Sequence, residues 1–357
     1  MRQILLFMSL FMSAIVSFGQ FAYFNSDEFW QKTPLLSPNT DVKILPSDTA
    51  IIVASNREED ISKIRYLPEM RSGKGIRYFV VFSRNGKWNV LPVSSLQDAL
   101  HQMPRLDLPW VIYTEGMGKF FTSNLDRGMN LSAQYGVNVL MFDYPSLSSH
   151  RKRLGNYFFA KKNATVAYHD FLPVLKEIRL LNSTKQFGQG GINLFFHSMG
   201  NIVMQQIVKH HLVNELNGSK WVNNLIFNAP CIPQKGHQKM IDQIHFAKHI
   251  YINYNPEDYT LGGAYLVSKR YQLGKQIHRP LAKEAIYVNF NDIAGDGHSN
   301  FLNLIGRNEI PPAAENFYYT LFHGDTASVH NTVLFLPSKH RKIGYDLLPI
   351  PSTTAHQ

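Results

Sequence analysis

The sequence predicts an α/β protein whose core is an open, doubly wound and mostly parallel sheet. Three observations carry that expectation. From Leu108 onward, short and largely apolar runs alternate with amphipathic helical stretches, the pattern of strands covered by helices on both faces. Six of these runs, 110–114, 137–142, 192–196, 224–227, 250–254 and 286–290, are four to six residues long and rich in β-branched or aromatic residues. The chain has 357 residues, of which 44% are apolar and 17% charged, a composition that supports one large or two smaller packed domains and excludes a disordered or collagen-like chain.

The elements follow in order. Arg2 precedes an apolar run over 4–16 that ends in Ser17-Phe18-Gly19, small residues at the positions a signal peptidase reads, which predicts a signal peptide over 1–19 with cleavage before Gln20. The run is shorter than the ~18 residues a membrane span requires, so an uncleaved anchor is the lesser alternative. No cysteine follows it, which argues against a lipoprotein signal. Residues 20–48, rich in Pro, Ser and Asn, read as a leader lying on the surface. The runs 50–54 and 76–82, the turn Arg84-Asn85-Gly86-Lys87 and then Trp88, Val90 and Leu91 read as strands with a hairpin, so 20–105 is assigned to this leader and a small β-rich extension. Ser95, with Asp98 three residues on, caps a helix carrying Ala99, Leu100 and Met103, which Pro104 ends. Within the main domain, 106–335, a helix over 124–135 stops at Gly136, and a second over 164–181 presents Val166, Phe171, Leu172, Leu175, Ile178 and Leu181 at helical spacing. Residues 336–357 are read as a tail.

The balance of 36 Lys plus Arg against 26 Asp plus Glu gives +10, which favours an anionic surface or ligand. The densest cluster, His150-Arg151-Lys152-Arg153 followed by Lys161 and Lys162, reads as a solvated loop or pocket rim, and no nucleic-acid motif accompanies it, so no specific nucleic-acid binding is expected. The single cysteine, Cys231, excludes an intramolecular disulfide and a cysteine zinc cage. His245 and His249 stand four apart with no glutamate between them, and no metal or cofactor is expected.

The chemistry concentrates in Ile192-Asn193-Leu194-Phe195-Phe196-His197-Ser198-Met199-Gly200-Asn201, an apolar strand running into Ser198 and then into a helix over 202–212. A sharp turn there lifts the Ser198 hydroxyl above the sheet edge, beside the positive end of the helix. Phe196 occupies the first glycine of the G-x-S-x-G pattern.

These residues resemble the α/β-hydrolase superfamily. His197-Ser198-Met199-Gly200-Asn201 is similar to the elbow of its lipases, esterases and thioesterases. Residues 110–116 resemble the strand that normally ends in His-Gly, and 138–146, with Asp143-Tyr144-Pro145-Ser146, the strand and loop that follow. The nearest likeness is a bacterial hydrolase-like branch of unknown function with a His-Ser-Met-Gly elbow, over roughly 106–305. The resemblance implies an α/β-hydrolase fold and a chain order Ser, acid, His. The sequence offers Ser198, then Asp258 after the strand 250–254 with Glu257 as the adjacent alternate, then His298 after 286–290 with His323 as the alternate. It also implies oxyanion donors from the backbone amides of Met199 and Met117.

Glu115 stands where the superfamily usually has histidine. It either points away or, facing the pocket, opposes a developing oxyanion, binds a cation, holds Lys119 or marks a scaffold without activity. The expected function is an exported serine hydrolase acting on a small-molecule or lipid-like acyl ester in the periplasm or outside the cell. The stretch 259–283, with Tyr265, Leu266 and Tyr271, is either a cap over the site or a structural insertion. A binding or envelope-assembly protein without catalysis and, more weakly, a serine peptidase are the alternatives.

Overall fold

The computed structural model describes residues 22–38, 40–304 and 309–350. The expected signal peptide and the last residues of the expected tail lie outside them. In chain order the elements are α1 (Asp27–Gln31), β1 (Ala50–Ser55), β2 (Arg77–Arg84), β3 (Lys87–Val93), α2 (Leu96–Gln102), β4 (Trp110–Thr114), α3 (Phe121–Tyr135) and β5 (Asn138–Asp143). There follow α4 (Arg153–Ser183), β6 (Ile192–His197), α5 (Asn201–Lys209), β7 (Val222–Asn228), α6 (His237–Ile241), β8 (Ala247–Tyr254) and α7 (Tyr259–Ser268). The chain closes with β9 (Ala285–Asn289), α8 (Asn291–Ala294), α9 (Pro312–Phe322), β10 (Phe335–Pro337) and β11 (Tyr345–Leu347).

Among the described residues all eleven strands form one sheet in the order β10-β11-β9-β8-β7-β6-β4-β5-β1-β2-β3. Seven of its ten pairings are parallel, and the antiparallel ones are β1–β2, β2–β3 and β10–β11 at the two flanks. The expected doubly wound, mostly parallel sheet is therefore present. Strands β4, β5 and β6 are buried along their whole length, as helix cover on both faces requires. One core layer packs α2, α4 and α5 on the sheet, and the other packs α3 and α9 on the opposite face. Among the described residues no helix is long and apolar enough to cross a membrane.

Four expectations are corrected. The β-rich segment does not build a sheet of its own: β1 lies parallel to β5, with Ile52 opposite Leu140, and carries the β2–β3 hairpin with it. The leader is not merely a surface strand, because Ser26 caps α1 by accepting from Phe29 N, and α1 buries Trp30 against Tyr66 and Phe121. The long helix begins at Arg153, eleven residues before Ala164, so Lys161 and Lys162 are helical rather than loop residues. Arg and Lys are good helix formers, and the Asn156 side chain fixes the preceding turn by donating to Ser148 O and Arg151 O and accepting from Ser148 N. The expected tail contains β11, which adds to the sheet beside β9, with Asp346 opposite Asn289.

Beside the elbow, the buried Arg57 guanidinium meets Asp143, with Nε 2.8 Å from Oδ2. The carboxylate also accepts from Ser55 Oγ and Asn124 Nδ2, while Arg57 donates to Lys119 O and Tyr144 O. The loops leaving β4 and β5 thus share one buried clamp.

Candidate active site

Strand β6 ends at His197, and Ser198 follows at φ +52, in the left-handed region that a residue with a side chain occupies only under constraint. The constraint is visible: Asn201 Nδ2 donates to Ser198 O (2.9 Å) and to Phe196 O (3.0 Å), and Cys231 N donates to Ser198 O (3.0 Å). Gly200 is required for closeness, because a Cβ there would lie 2.4 Å from Thr114 O on the neighbouring strand. Phe196 belongs to β6 and is buried, so the position that the pattern gives to glycine serves the core here. A Cβ on Gly116 would come within 2.6 Å of Ser198 Cβ, 3.1 Å of Ser198 Oγ and 3.0 Å of Met199 N. The loop after β4, carrying Met117, therefore passes directly against the serine and the amide that follows it.

Asp258 and His298 come together although forty residues separate them. His298 Nδ1 lies 2.6 Å from Asp258 Oδ2, and since a carboxylate only accepts, Nδ1 carries the proton and leaves Nε2 as an acceptor. The other oxygen, Oδ1, accepts from Leu261 N at 2.8 Å and caps α7. One fully buried carboxylate thus fixes both a helix and an imidazole. Asn255, which the sequence reading did not single out, joins the two loops: its Nδ2 donates to Gly295 O and Gly297 O, immediately before the histidine. Its only signal was an asparagine directly after a strand and before Pro256.

The alternates lie elsewhere. Glu257 is exposed, and its backbone N–H turns back to Asn255 Oδ1. His323 follows α9 and places Nε2 2.8 Å from Tyr135 O, where α3 ends before β5 begins and thus at the opposite sheet edge from Ser198. The pair His245 and His249 is split between a loop and β8, and among the described residues no cluster of three His, Cys, Asp or Glu is disposed to hold a metal.

Beside the serine sits a further histidine, His197, and this one is buried. The His197 ring is 4.8 Å from the His298 ring, which brings the imidazole to the residue preceding the serine. Asn228, held by Tyr318 OH, offers its Nδ2 to His197 Nδ1 at 3.0 Å. The His197 proton is therefore on Nε2, facing Ser299 Oγ (3.3 Å) and Glu115 Oε1 (3.7 Å). Burial holds this imidazole well below its ordinary range against the pull of Glu115, with His298, Arg127 and Lys119 adding to the depression.

The Glu115 carboxylate is turned toward this network: Oε2 accepts from Tyr113 OH at 2.5 Å, Oε1 from Gly116 N at 2.7 Å, and Arg127 Nε is 3.6 Å away. Burial alone would raise its pKa, but the His197 Nε2–H turned toward it, the charges of Arg127 and Lys119 and the Tyr113 hydrogen bond hold it far below the usual carboxylate range. A cleft of about 370 Å³ between α4 and the turn after α5, walled by Tyr168, Leu172, Lys176, Leu212 and Glu215, does not include Ser198 or His298.

A doubly wound sheet, a strained serine between strand and helix, and an Asp–His pair on later loops define the class of α/β hydrolases. The chain belongs to one family of that class: residues 97–296 match the family described as alpha/beta hydrolase of unknown function (DUF900). No curated protein matches the chain. Among solved structures, the BES protein from Bacillus cereus is 14% identical, with a TM-score of 0.33 over 80% of this chain and 97% of that one.

Proposed function

We propose that the protein is an exported serine hydrolase that cleaves small-molecule or lipid-like acyl esters. The observation that carries the reading is the 2.6 Å Asp258–His298 pair, whose imidazole lies 4.8 Å from the ring of His197, the residue before a serine held at positive φ at the end of β6. Ser198 Oγ attacks the acyl carbonyl as its proton passes to His298 Nε2, and Asp258 stabilises the imidazolium without taking the proton itself. The amides of Met199 and Met117 receive the oxyanion, within the space that the bare Gly116 leaves open. The tetrahedral intermediate collapses, the alcohol leaves with the proton from His298, and water repeats the sequence on the acyl-enzyme.

The stretch 259–283 supports a cap role. Its helix α7 begins at the acid itself, and its later half docks on the loop after β7 through Leu273 N to Ile232 O and Gly274 N to Pro230 O. Export rests on Arg2 and the apolar run over 4–16. The test is labelling of the purified mature protein by a fluorophosphonate, beside Ser198→Ala and His298→Ala, each checked by circular dichroism. Labelling should vanish in the first variant and fall sharply in the second, after which ester and peptide panels separate esterase from peptidase. A well-folded wild type that takes no label overturns the reading in favour of a binding scaffold.

A further inference from the structure

The whole positive excess of this chain sits in two segments that border the candidate site. Residues 147–169 and 259–283 together hold ten of the 36 Lys plus Arg and none of the 26 Asp plus Glu, so the rest of the chain, with 26 of each sign, is neutral. The first segment, which leads from the β5 loop into α4, supplies Arg151, Lys152, Arg153, Lys161 and Lys162. The second, which follows the Asp258 turn, supplies Lys269 and Arg270 just past the end of α7. Among the described residues none of these seven forms an ion pair.

The two segments meet. The Tyr157 hydroxyl reaches the Ser268 side chain, and both segments leave strands at the carboxyl edge of the sheet, the edge that carries Ser198. Large apolar side chains stand exposed among the cations: Leu154 and Phe158 at 55% each, four apart on one face of α4, and Leu266 at 66%, three residues before Lys269 on α7. At the border of the first segment the Glu69 carboxylate accepts from Ser149 N.

The placement also breaks a local rule. Lys152 and Arg153 occupy the cap and first position of α4, where the helix end is already positive, with no acid in the first turn and no side-chain cap. Natural chains break such rules at functional sites, and an anion docked on this face would satisfy both the cations and the helix end.

We propose that this face docks the protein on an anionic lipid surface. The cations meet headgroup phosphates, while Leu154, Phe158 and Leu266 enter the boundary between headgroups and acyl chains. Interleaved apolar side chains favour lipid over nucleic acid, since a phosphate backbone offers them no apolar partner. The arrangement turns the mouth of the candidate site toward the layer that holds acyl esters, and its docking does not depend on Ser198 being active.

The test is cosedimentation of the mature protein at 0.1 M salt with vesicles of pure phosphatidylcholine, the same lipid with 30% phosphatidylglycerol, and, separately, retention of a DNA duplex. Wild type and Ser198→Ala should bind the anionic vesicles equally, and the neutral ones at least tenfold more weakly. Arg151→Gln/Lys152→Gln and Lys269→Gln/Arg270→Gln, shown folded by circular dichroism, should each lose binding at least tenfold, from about fivefold per cation. Leu154→Ser/Phe158→Ser should lose it severalfold, while Lys185→Gln/Lys239→Gln should not. Binding indifferent to phosphatidylglycerol, or unchanged in the charge and apolar variants, overturns the proposal. Duplex binding tighter than vesicle binding also overturns it and assigns the face to nucleic acid. Equal docking by Ser198→Ala keeps this result separate from the labelling experiment, so either proposal can fail alone.

Discussion

Asp258 carries two duties on two oxygens, and Asp258→Asn separates them. The amide keeps an oxygen for Leu261 N, and Asn caps helices as well as Asp, so α7 retains its first turn. The remaining amide nitrogen then faces His298 Nδ1 as a donor, where the carboxylate accepted at 2.6 Å. The imidazole answers by moving its proton to Nε2, and an Nε2–H cannot take the proton of Ser198. The expected loss is about 10³–10⁴-fold in the rate of fluorophosphonate labelling, equivalent to ~4–5.5 kcal/mol of barrier. Urea unfolding should move by less than ~1 kcal/mol for the asparagine, whereas Asp258→Ala also removes the cap and costs a further ~0.5–2 kcal/mol. A folded Asp258→Asn protein that labels at more than a tenth of the wild-type rate would refute the assignment of Asp258 as the acid and leave it a helix cap.

Two further outcomes follow from the same site. Gly116→Ala puts a methyl 2.6 Å from Ser198 Cβ and 3.0 Å from Met199 N, so labelling should fall at least 100-fold while urea stability drops by only ~1–3 kcal/mol; near-normal labelling would place the oxyanion elsewhere. Because burial depresses His197 below its ordinary 6.5, the unfolded chain binds a proton there that the folded chain refuses. Stability should be full above about pH 6.5 and decline below it by up to ~1.4 kcal/mol per pH unit, with a second loss from Glu115 starting near its ordinary 4.5. Urea midpoints between pH 7.5 and 4 check this, and His197→Gln should reduce the decline between 6.5 and 5, leaving the share of the other buried histidine, His237; an unaltered slope in that variant would show that His197 is not responsible.

What the sequence made legible followed from short-range patterns. The apolar runs gave β4 to β9 to within a few residues, because a strand buried on both faces is mostly apolar. The Ser198 turn was readable for the same reason, since strand, small turn and helix adjoin in the chain. Asp258 and His298 were readable as residues following strands, although nothing in one sequence measures the 2.6 Å between them. What escaped depends on contacts between distant segments. The pairing of β1 with β5 joins residues almost ninety apart, and β11 reaches β9 from beyond α9. The orientation of Glu115 was undecidable without Arg127 and Tyr113, because a carboxylate one residue past a strand end can face either core. His197 was hidden by its neighbour: beside a candidate nucleophile it reads as part of a motif, while its partners Asn228 and Ser299, and the Tyr318 that holds Asn228, come from three other segments.

The Arg57–Asp143 clamp bears on what can be inherited, moved or cut as a unit. The family match begins at residue 97, but the guanidinium that neutralises Asp143 and holds the backbone at Lys119 and Tyr144 comes from forty residues earlier. A fragment trimmed to the matched span would leave a buried carboxylate without its counter-charge, a loss of about 3–5 kcal/mol, comparable to the whole stability of many domains. It would also loosen the loop that carries Met117. The hydrolase-family domain of this protein is therefore not a module with an appendage: its first strand and the arginine behind it travel with the central sheet or the sheet does not hold.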